Sequence, residues 1–346
     1  MTRQITVVAA YGTEAATTRA RAVEWARHLG LDMELHGYVG SASNRPADLM
    51  RDPARAARAE LDLRRLRPGG PLLLLREATP FSRGGIESRL LRAATPGVYD
   101  LDDALFEDRR RLPDPAALFP KPVKAERAAR SARRVVVGND VLAGWAARHN
   151  RDVVVVPTCV EPDDYVVRLD HEPAEVPVIG WLGSPSTEPH LLEVADALLA
   201  VHRRTGAVLR VVSAGNAHLG PLEGIVERVA WTPAGWARAL SSFDVGIGPL
   251  TDDAFSRGKC AYKLLQYAAA GVPFVASPVG ANAAAIDRLG GRAAVGTQAW
   301  TDALLDLLGA TAADRRHVAE GGRAGVVAHY SFARWAPVWR AAVLEA

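Results

Sequence analysis

The chain has 346 residues, more than one hydrophobic core usually organises, so two domains are the natural expectation. Apolar residues make up 49% and charged residues 23%, the composition of a folded globular protein rather than a disordered one. The formal charge is only +3, and the most basic run, Arg51 to Arg67, also carries Asp52, Glu60 and Asp62, so it reads as a solvated helix, with an anion-binding face as the alternative, and lacks the basic stripe of a nucleic-acid partner.

In chain order, short apolar strands alternate with longer helical patterns, which points to parallel sheets with helices on both faces. Strands are expected at Ile5 to Ala10, Met33 to Tyr38, Pro71 to Leu75, Gly97 to Tyr99, Arg134 to Val137 and Asp152 to Val156. Helices are clearest from Glu14 to Leu29, with Trp25 and Leu29 on one face, and from Asn139 to His149. The stretch from Glu161 to Pro177, rich in proline and acid, reads as a linker. A second series follows: strand Val178 to Leu182, helix Glu188 to His202, strands Val208 to Ser213 and Ile225 to Ala230, and helix Pro233 to Ser241. It continues with strand Asp244 to Ile247, helix Lys259 to Ala270 and strand Pro273 to Ala276. The closing YSFARWAPVWRAAVLEA places Phe332, Trp335, Val338 and Trp339 near helical spacing and reads as a helix packed on the body. The fold class is therefore α/β, with two tandem Rossmann-like, doubly wound domains facing each other across a cleft. The expected domains are residues 1–165 and 166–325, with the C-terminal helix over 326–346.

No run approaches the roughly 18 apolar residues that span a bilayer, and the N-terminus reads as a strand without a cationic leader, so a cytoplasmic protein is expected. Cys159 and Cys260 show no metal spacing, and His149, His171 and His190 are scattered, so no metal or other cofactor is expected. Lysine is scarce: among 42 basic residues the lysines are Lys121, Lys124, Lys259 and Lys263, and the last two fall close together.

The most informative run is FDVGIGPLTDDAFSRGKCAYKLLQYAAAGVPFVASPVGAN, from Phe243 to Asn282. A buried strand ends at Pro249, a polar loop follows, and a helix opens near Lys259; a helix N-terminus presents backbone N–H groups and partial positive charge to an anion. Arg257, Lys259 and Lys263 add cations there, an arrangement suited to a diphosphate. Within this run KLLQYAAAGVPFVASPVG resembles the donor-binding signature of retaining GT-B glycosyltransferases, particularly glycosyltransferase family four. The resemblance implies a nucleotide-sugar site formed by Gly258, Cys260, Ala261, Tyr262 and Gln266. Family members carry two glutamates where this chain has Gly258 and Gln266. Gln266 keeps the hydrogen-bonding capacity for a ribose diol, whereas Gly258 cannot replace a carboxylate, which moves the sugar contact to the backbone after Gly258 and to Arg257 or Lys259. The stretch VPVIGWLGSPSTEPHLL resembles the first strand and loop of the donor domain, with Gly183 and Ser184 approaching the phosphates and Pro185 and Ser186 where many members have basic residues. Ala230 and Trp231 match the strand end that holds the nucleotide base.

A looser resemblance covers the first half through TTRARAVEWARHLG, VYDLDDALF and RSARRVVVGNDVLAGWAARHNRDVVVVPTCVEPDDY, which makes 1–165 the acceptor side and 166–325 the donor side. Thr18, Arg19 and Arg21 are candidates in the first loop. Arg76 and Glu77 follow the strand LLLL, and Asp100, Asp102 and Asp103 follow the next; a helix cap is an equally good account of Asp102 or Asp103. The implied activity is a hexosyltransferase-like retaining transfer from a UDP- or GDP-sugar to a small-molecule acceptor, possible in specialised-metabolite biosynthesis. Arg257, Lys259 and Lys263 would stabilise the leaving diphosphate in the catalytic step. A non-hydrolysing nucleotide-sugar epimerase and a catalytically silent nucleotide-sugar-binding partner are the alternatives. The sequence specifies neither the acceptor nor the oligomeric state.

Overall fold

The computed structural model describes residues 4–13, 15–38, 51–108, 115–233 and 235–345; Glu14 and Ala234, which fall in two of the expected helices, lie outside them. The chain divides into two compact units. One comprises the chain through Thr158 with Arg257–Cys260 and the stretch from Trp335 onward, and the other comprises Cys159–Ser256 and Ala261–Arg334.

Among the described residues, each unit holds a six-stranded parallel sheet. In the first, β1 (Gln4–Ala9), β2 (Asp32–Gly37), β3 (Leu72–Leu75), β4 (Gly97–Leu101), β5 (Arg134–Val137) and β6 (Val153–Val155) are ordered β2-β1-β3-β4-β5-β6. Strands β3 and β4 are buried at every position, which is why they read as apolar runs rather than alternating ones. The first helical segment is broken in three: α1 (Ala16–Thr18), a π-helical turn (Arg19–Val23) and α2 (Glu24–Leu29), which stops where Gly30 takes φ 62°. The arginine-rich run forms α3 (Pro53–Arg65), started by the Asp52 carboxylate accepting from Arg55 N–H at 3.0 Å and burying Ala56 and Leu63. Helices α4 (Gly85–Ala93), α5 (Lys121–Ser131) and α6 (Asp140–Ala146) complete the first crossovers.

The second sheet contains β7 (Val178–Leu182), β8 (Val208–Ser213), β9 (Val226–Ala230), β10 (Val245–Gly248), β11 (Phe274–Ala276) and β12 (Arg292–Ala293), in the order β12-β11-β10-β7-β8-β9. The helix expected from Glu188 to His202 divides at its proline: Pro185–Val194 is 3-10, with Pro189 inside, and α7 (Ala195–Thr205) follows. Then come α8 (Trp236–Ser241), α9 (Ala254–Arg257), α10 (Tyr262–Ala269), α11 (Ala281–Leu289), α12 (Gly296–Gly309), α13 (Ala312–Tyr330) and α14 (Phe332–Val343). Close packing of helix on strand needs glycine at two points: a Cβ at Gly180 would fall 1.9 Å from the Phe243 ring, and one at Gly246 2.7 Å from Tyr267. The buried Tyr267 hydroxyl donates to Ile247 O and accepts from Leu182 N–H, both at 3.0 Å, so one phenol ties the ends of β7 and β10.

The stretch expected to be a linker packs on the second unit instead. Arg168 binds Asp244 at 2.7 Å, Arg323 donates to Pro162 O at 2.7 Å and pairs with Asp163 at 2.9 Å, and Tyr165 meets Trp236 edge-on at 5.1 Å. The Arg323 bond to Pro162 O, and one from Arg168 N–H to Ala270 O at 2.8 Å, satisfy backbone groups of a segment that its composition alone marks as free chain. In the first unit the α14 side chain Trp339 stacks on the fully buried Trp25 at 5.1 Å.

Candidate active site

In open parallel sheets, ligands sit beyond the carboxyl ends of the strands where the strand order reverses. The order reverses between β1 and β3 in the first unit and between β7 and β10 in the second, so the residues leaving those strands define two candidate centres.

In the second unit β7 runs into Gly183 and Ser184. A Cβ on Gly183 would lie 2.4 Å from the Trp181 ring and 2.8 Å from Lys263 Cε, so glycine alone fits between the indole and the lysine stem. Lys263, in the first turn of α10, holds its ammonium 5.2 Å from the Trp181 ring centroid and donates to Thr187 Oγ1 at 3.5 Å. Ser184 Oγ lies 3.0 Å from Ser186 Oγ and 3.4 Å from Thr187 Oγ1. His190 Nδ1 lies 3.3 Å from Thr251 Oγ1, which joins the loops after β7 and β10. The centre is rich in hydroxyls, with Lys263 beside them. Gln266 is buried on α10. Ala230 and Trp231 close β9, which stands two places from β7 and so roughly 10 Å across the sheet; Trp231 is half-buried against the core, and its N–H donates to Ser213 O at 3.0 Å.

The helix expected to open near Lys259 opens at Tyr262. Ala261 is its N-cap, at φ 56°, and supplies no side-chain hydrogen bond. Arg257, Gly258, Lys259 and Cys260, expected on the donor side, group with the first unit. The reason is local: Asn139 donates its side-chain amide to Gly258 O at 2.9 Å and Lys259 O at 3.1 Å, while its Oδ1 caps α6 at Leu142 N–H. Arg257 is exposed. A Cβ on Gly258 would fall 2.5 Å from that of Ala104, so this backbone has no room for the glutamate of the family pattern. The Cys260 thiol donates to Asp102 O at 3.2 Å, and burial together with the Asp102 carboxylate pushes its pKa up, so it is no thiolate nucleophile near neutral pH.

The first unit's strand ends converge on Arg76. Its φ of 60° is a left-handed conformation that a non-glycine residue holds only when its surroundings enforce it; here the Tyr99 hydroxyl donates to its carbonyl at 2.9 Å, and its N–H donates to Asp100 O at 3.0 Å. The guanidinium reaches Thr17 Oγ1 at 3.2 Å, Asp103 Oδ2 at 3.0 Å and Asp102 Oδ1 at 3.6 Å, and lies over the Tyr11 ring at 5.9 Å. Burial opposes its charge, but Asp103 and Asp102 outweigh that and hold its pKa above the ordinary value. Lys259 Nζ lies 3.7 Å from Asp103 Oδ1. Asp102 and Asp103 are thus counter-ions of two cations rather than helix caps. Asp102 Oδ1, Asp103 Oδ1 and Arg76 Nε are buried without a hydrogen-bond partner among the described residues.

Three further acceptor-side candidates, Asp100, Glu77 and Thr18, are interior. Asp100 lies within β4 and is completely buried, its carboxylate chelated by Arg21 at 2.9 and 2.7 Å while Arg21 also donates to Val156 O; burial works against the guanidinium, but Asp100 holds its pKa above the usual value. Glu77 is likewise interior, 2.7 Å from Lys124 and 3.7 Å from Lys121. Burial alone would raise its pKa, but the two ammoniums outweigh burial and hold it below the usual carboxylate range. Thr18 is buried, its hydroxyl donating to Tyr11 O at 3.3 Å, and Arg19 is half-buried. Tyr11, Thr17, Asn139, Trp181, Thr187 and Thr251 were not singled out from the sequence; apart from Trp181 and Thr17, their signal is a polar residue shortly after a strand.

The chain has the GT-B fold, two Rossmann-like halves in tandem. It is similar to WaaG, a glycosyltransferase involved in lipopolysaccharide biosynthesis, with a TM-score of 0.64 and 12% identity over 98% of this chain and 99% of that one. Anabaena HepE in complex with UDP and glucose aligns with a TM-score of 0.64 and 14% identity, over 95% of this chain and 96% of its own. A glycosyltransferase from Rickettsia africae aligns with a TM-score of 0.63 and 13% identity, over 96% and 95%. No family model and no curated protein matches the sequence. No helix among the described residues is long and apolar enough to cross a membrane.

Proposed function

We propose that the protein is a retaining glycosyltransferase that moves a sugar from a UDP- or GDP-sugar to a small-molecule acceptor. The observation that carries this reading is Lys263, held by Trp181 and Thr187 beside Gly183 at the strand reversal of the second sheet. Gly183 lets a phosphate approach the backbone, the Ser184, Thr187 and Thr251 hydroxyls offer donors, and the ammonium opposes the charge that grows on the departing diphosphate. Gln266 and Trp231 serve the ribose and base in this reading. That HepE was captured with UDP and glucose supports the choice of a nucleotide-sugar donor.

In the first unit, Arg76, Asp102, Asp103 and Lys259 form the acceptor side. The two aspartates pair with Arg76 and Lys259, so this side carries little net charge, which suits a neutral polar acceptor. The departing phosphate takes the acceptor's proton, so no protein carboxylate need act as base. The test is to incubate the protein with UDP- and GDP-sugars and follow nucleotide release and unfolding temperature. A donor that raises the midpoint and releases nucleotide only when an acceptor is present is the expected result. An isomerised sugar points to an epimerase, and binding without turnover across a broad acceptor panel points to a silent partner; either outcome overturns the reading.

A further inference from the structure

The arginines of the first unit form a surface that no single stretch of sequence shows. A groove of about 730 Å³ runs between α4 and α5, lined by Ser88, Arg89, Arg92, Arg127, Arg130 and Ser131 among others. Arg89 and Arg92 are three residues apart on one helix and Arg127 and Arg130 three apart on the other, the spacing that brings side chains onto one face. The two rows therefore line one space.

Their charge is largely uncompensated. Arg130 pairs with Glu126 at 2.8 Å, but among the described residues Arg89, Arg92 and Arg127 have no carboxylate partner. Glu87, the acid of α4, turns inward, where it accepts from Ser82 and from Ala78 N–H. Burial and the neighbouring Arg67 depress the Arg89 pKa, as expected where cations crowd without an anion.

Two of the four side chains are also held in place. Arg89 donates to Leu63 O at 2.6 Å and Leu66 O at 2.9 Å. Arg127 donates to Arg83 O at 2.9 Å, with its stem against Gly84, where a Cβ would fall 2.8 Å from Arg127 Cδ. An arginine already fixed loses less freedom when it meets a ligand. Gly84, at φ 93°, is the N-cap of α4 without a side-chain cap, so the positive end of that helix lies beside Arg127, while Arg92 sits in its last turn.

We propose that this groove is a binding site for a di- or oligophosphate group, presented by a soluble ligand or by a lipid headgroup and distinct from the strand-end centres. Guanidinium forks match phosphate oxygens in pairs, and the Ser131 hydroxyl lies beside them, while that of Ser88 donates to Arg127 O at 3.4 Å. A nucleic-acid surface fits poorly: α4 has 9 residues, roughly 13 Å of length, and no aromatic side chain lines the groove for bases to stack on.

The test is calorimetric titration of the full chain with inorganic tripolyphosphate, with UDP present throughout to occupy any nucleotide site. Saturable binding is expected, weakened about tenfold or more in Arg92→Ala/Arg130→Ala and weakened in the wild type by added sodium chloride. Both residues are exposed, so the variant's unfolding midpoint should match the wild type; the single variant Arg92→Glu repeats the comparison. Co-sedimentation with phosphatidylcholine vesicles, with and without phosphatidylinositol bisphosphate, identifies the source: selective retention by the bisphosphate vesicles, lost in the double variant, assigns a headgroup, and binding in the titration alone assigns a soluble phosphate. Equal affinity of wild type and variants, no saturable binding in either arm, or tighter binding of a short RNA duplex than of tripolyphosphate would overturn the proposal.

Discussion

At the strand ends of the first sheet, Arg76 sits among Asp102, Asp103 and Thr17, with Lys259 on the far oxygen of Asp103, while Arg21 grips Asp100 beneath them. At the equivalent place in the second sheet the ammonium of Lys263 rests on an indole, among hydroxyls. The first centre pairs its cations with its own carboxylates, whereas the second sets a cation among hydroxyls and an aromatic face. In the proposed reading the first half meets a neutral polar molecule and the second a phosphate.

The comparison can be broken most forcefully through the buried pair. Asp100→Ala strands the Arg21 guanidinium in an interior where both side chains are about 1% exposed, and should cost about 3–5 kcal/mol of the first unit's stability. Denaturant titration should show an early transition that the wild type lacks. Next comes Lys263→Ala, expected to reduce turnover about 100-fold and to weaken UDP binding while leaving the unfolding midpoint nearly unchanged, because the lysine is only half-buried and its contacts include a ring face and a hydroxyl at 3.5 Å. A large loss of stability instead would make it a structural residue. The smallest effect concerns acid. Glu77, held below the usual range by Lys124 and Lys121, contributes stability in full above an unfolded carboxylate pKa of about 4.3, and that contribution fades as pH falls through its lower folded value. Urea midpoints in Glu77→Gln should therefore decline less steeply with acid than those of the wild type.

Much of the architecture was legible because parallel strands buried on both faces leave uninterrupted apolar runs: LLLL, RVVV and VIGWL each fall on a strand. Gly183 and Lys263, each singled out from a separate stretch, lie side by side in the structure. What escaped was long-range pairing. Nothing in the residues around Asp100 announces that Arg21, 79 positions away, will bury with it, and the same holds for Glu77 with Lys124. The helix start was misplaced for a related reason. Helical periodicity extends back to Lys259, but the Asn139 amide draws the Gly258 and Lys259 carbonyls away, and Ala261 turns through positive φ before the helix begins. Local propensity lost to a tertiary hydrogen bond.

The stacking of Trp339 on Trp25 bears on how the protein comes into being. Translation delivers Trp25 early and Trp339 only after the whole second unit, yet both sit in the packed interior of the first. A nascent first half emerging from the ribosome lacks that indole and keeps a sticky aromatic uncovered while some two hundred further residues are made. Its final consolidation waits until the second unit has been made and Trp339 has emerged behind it, leaving an interval in which chaperones have a surface to hold.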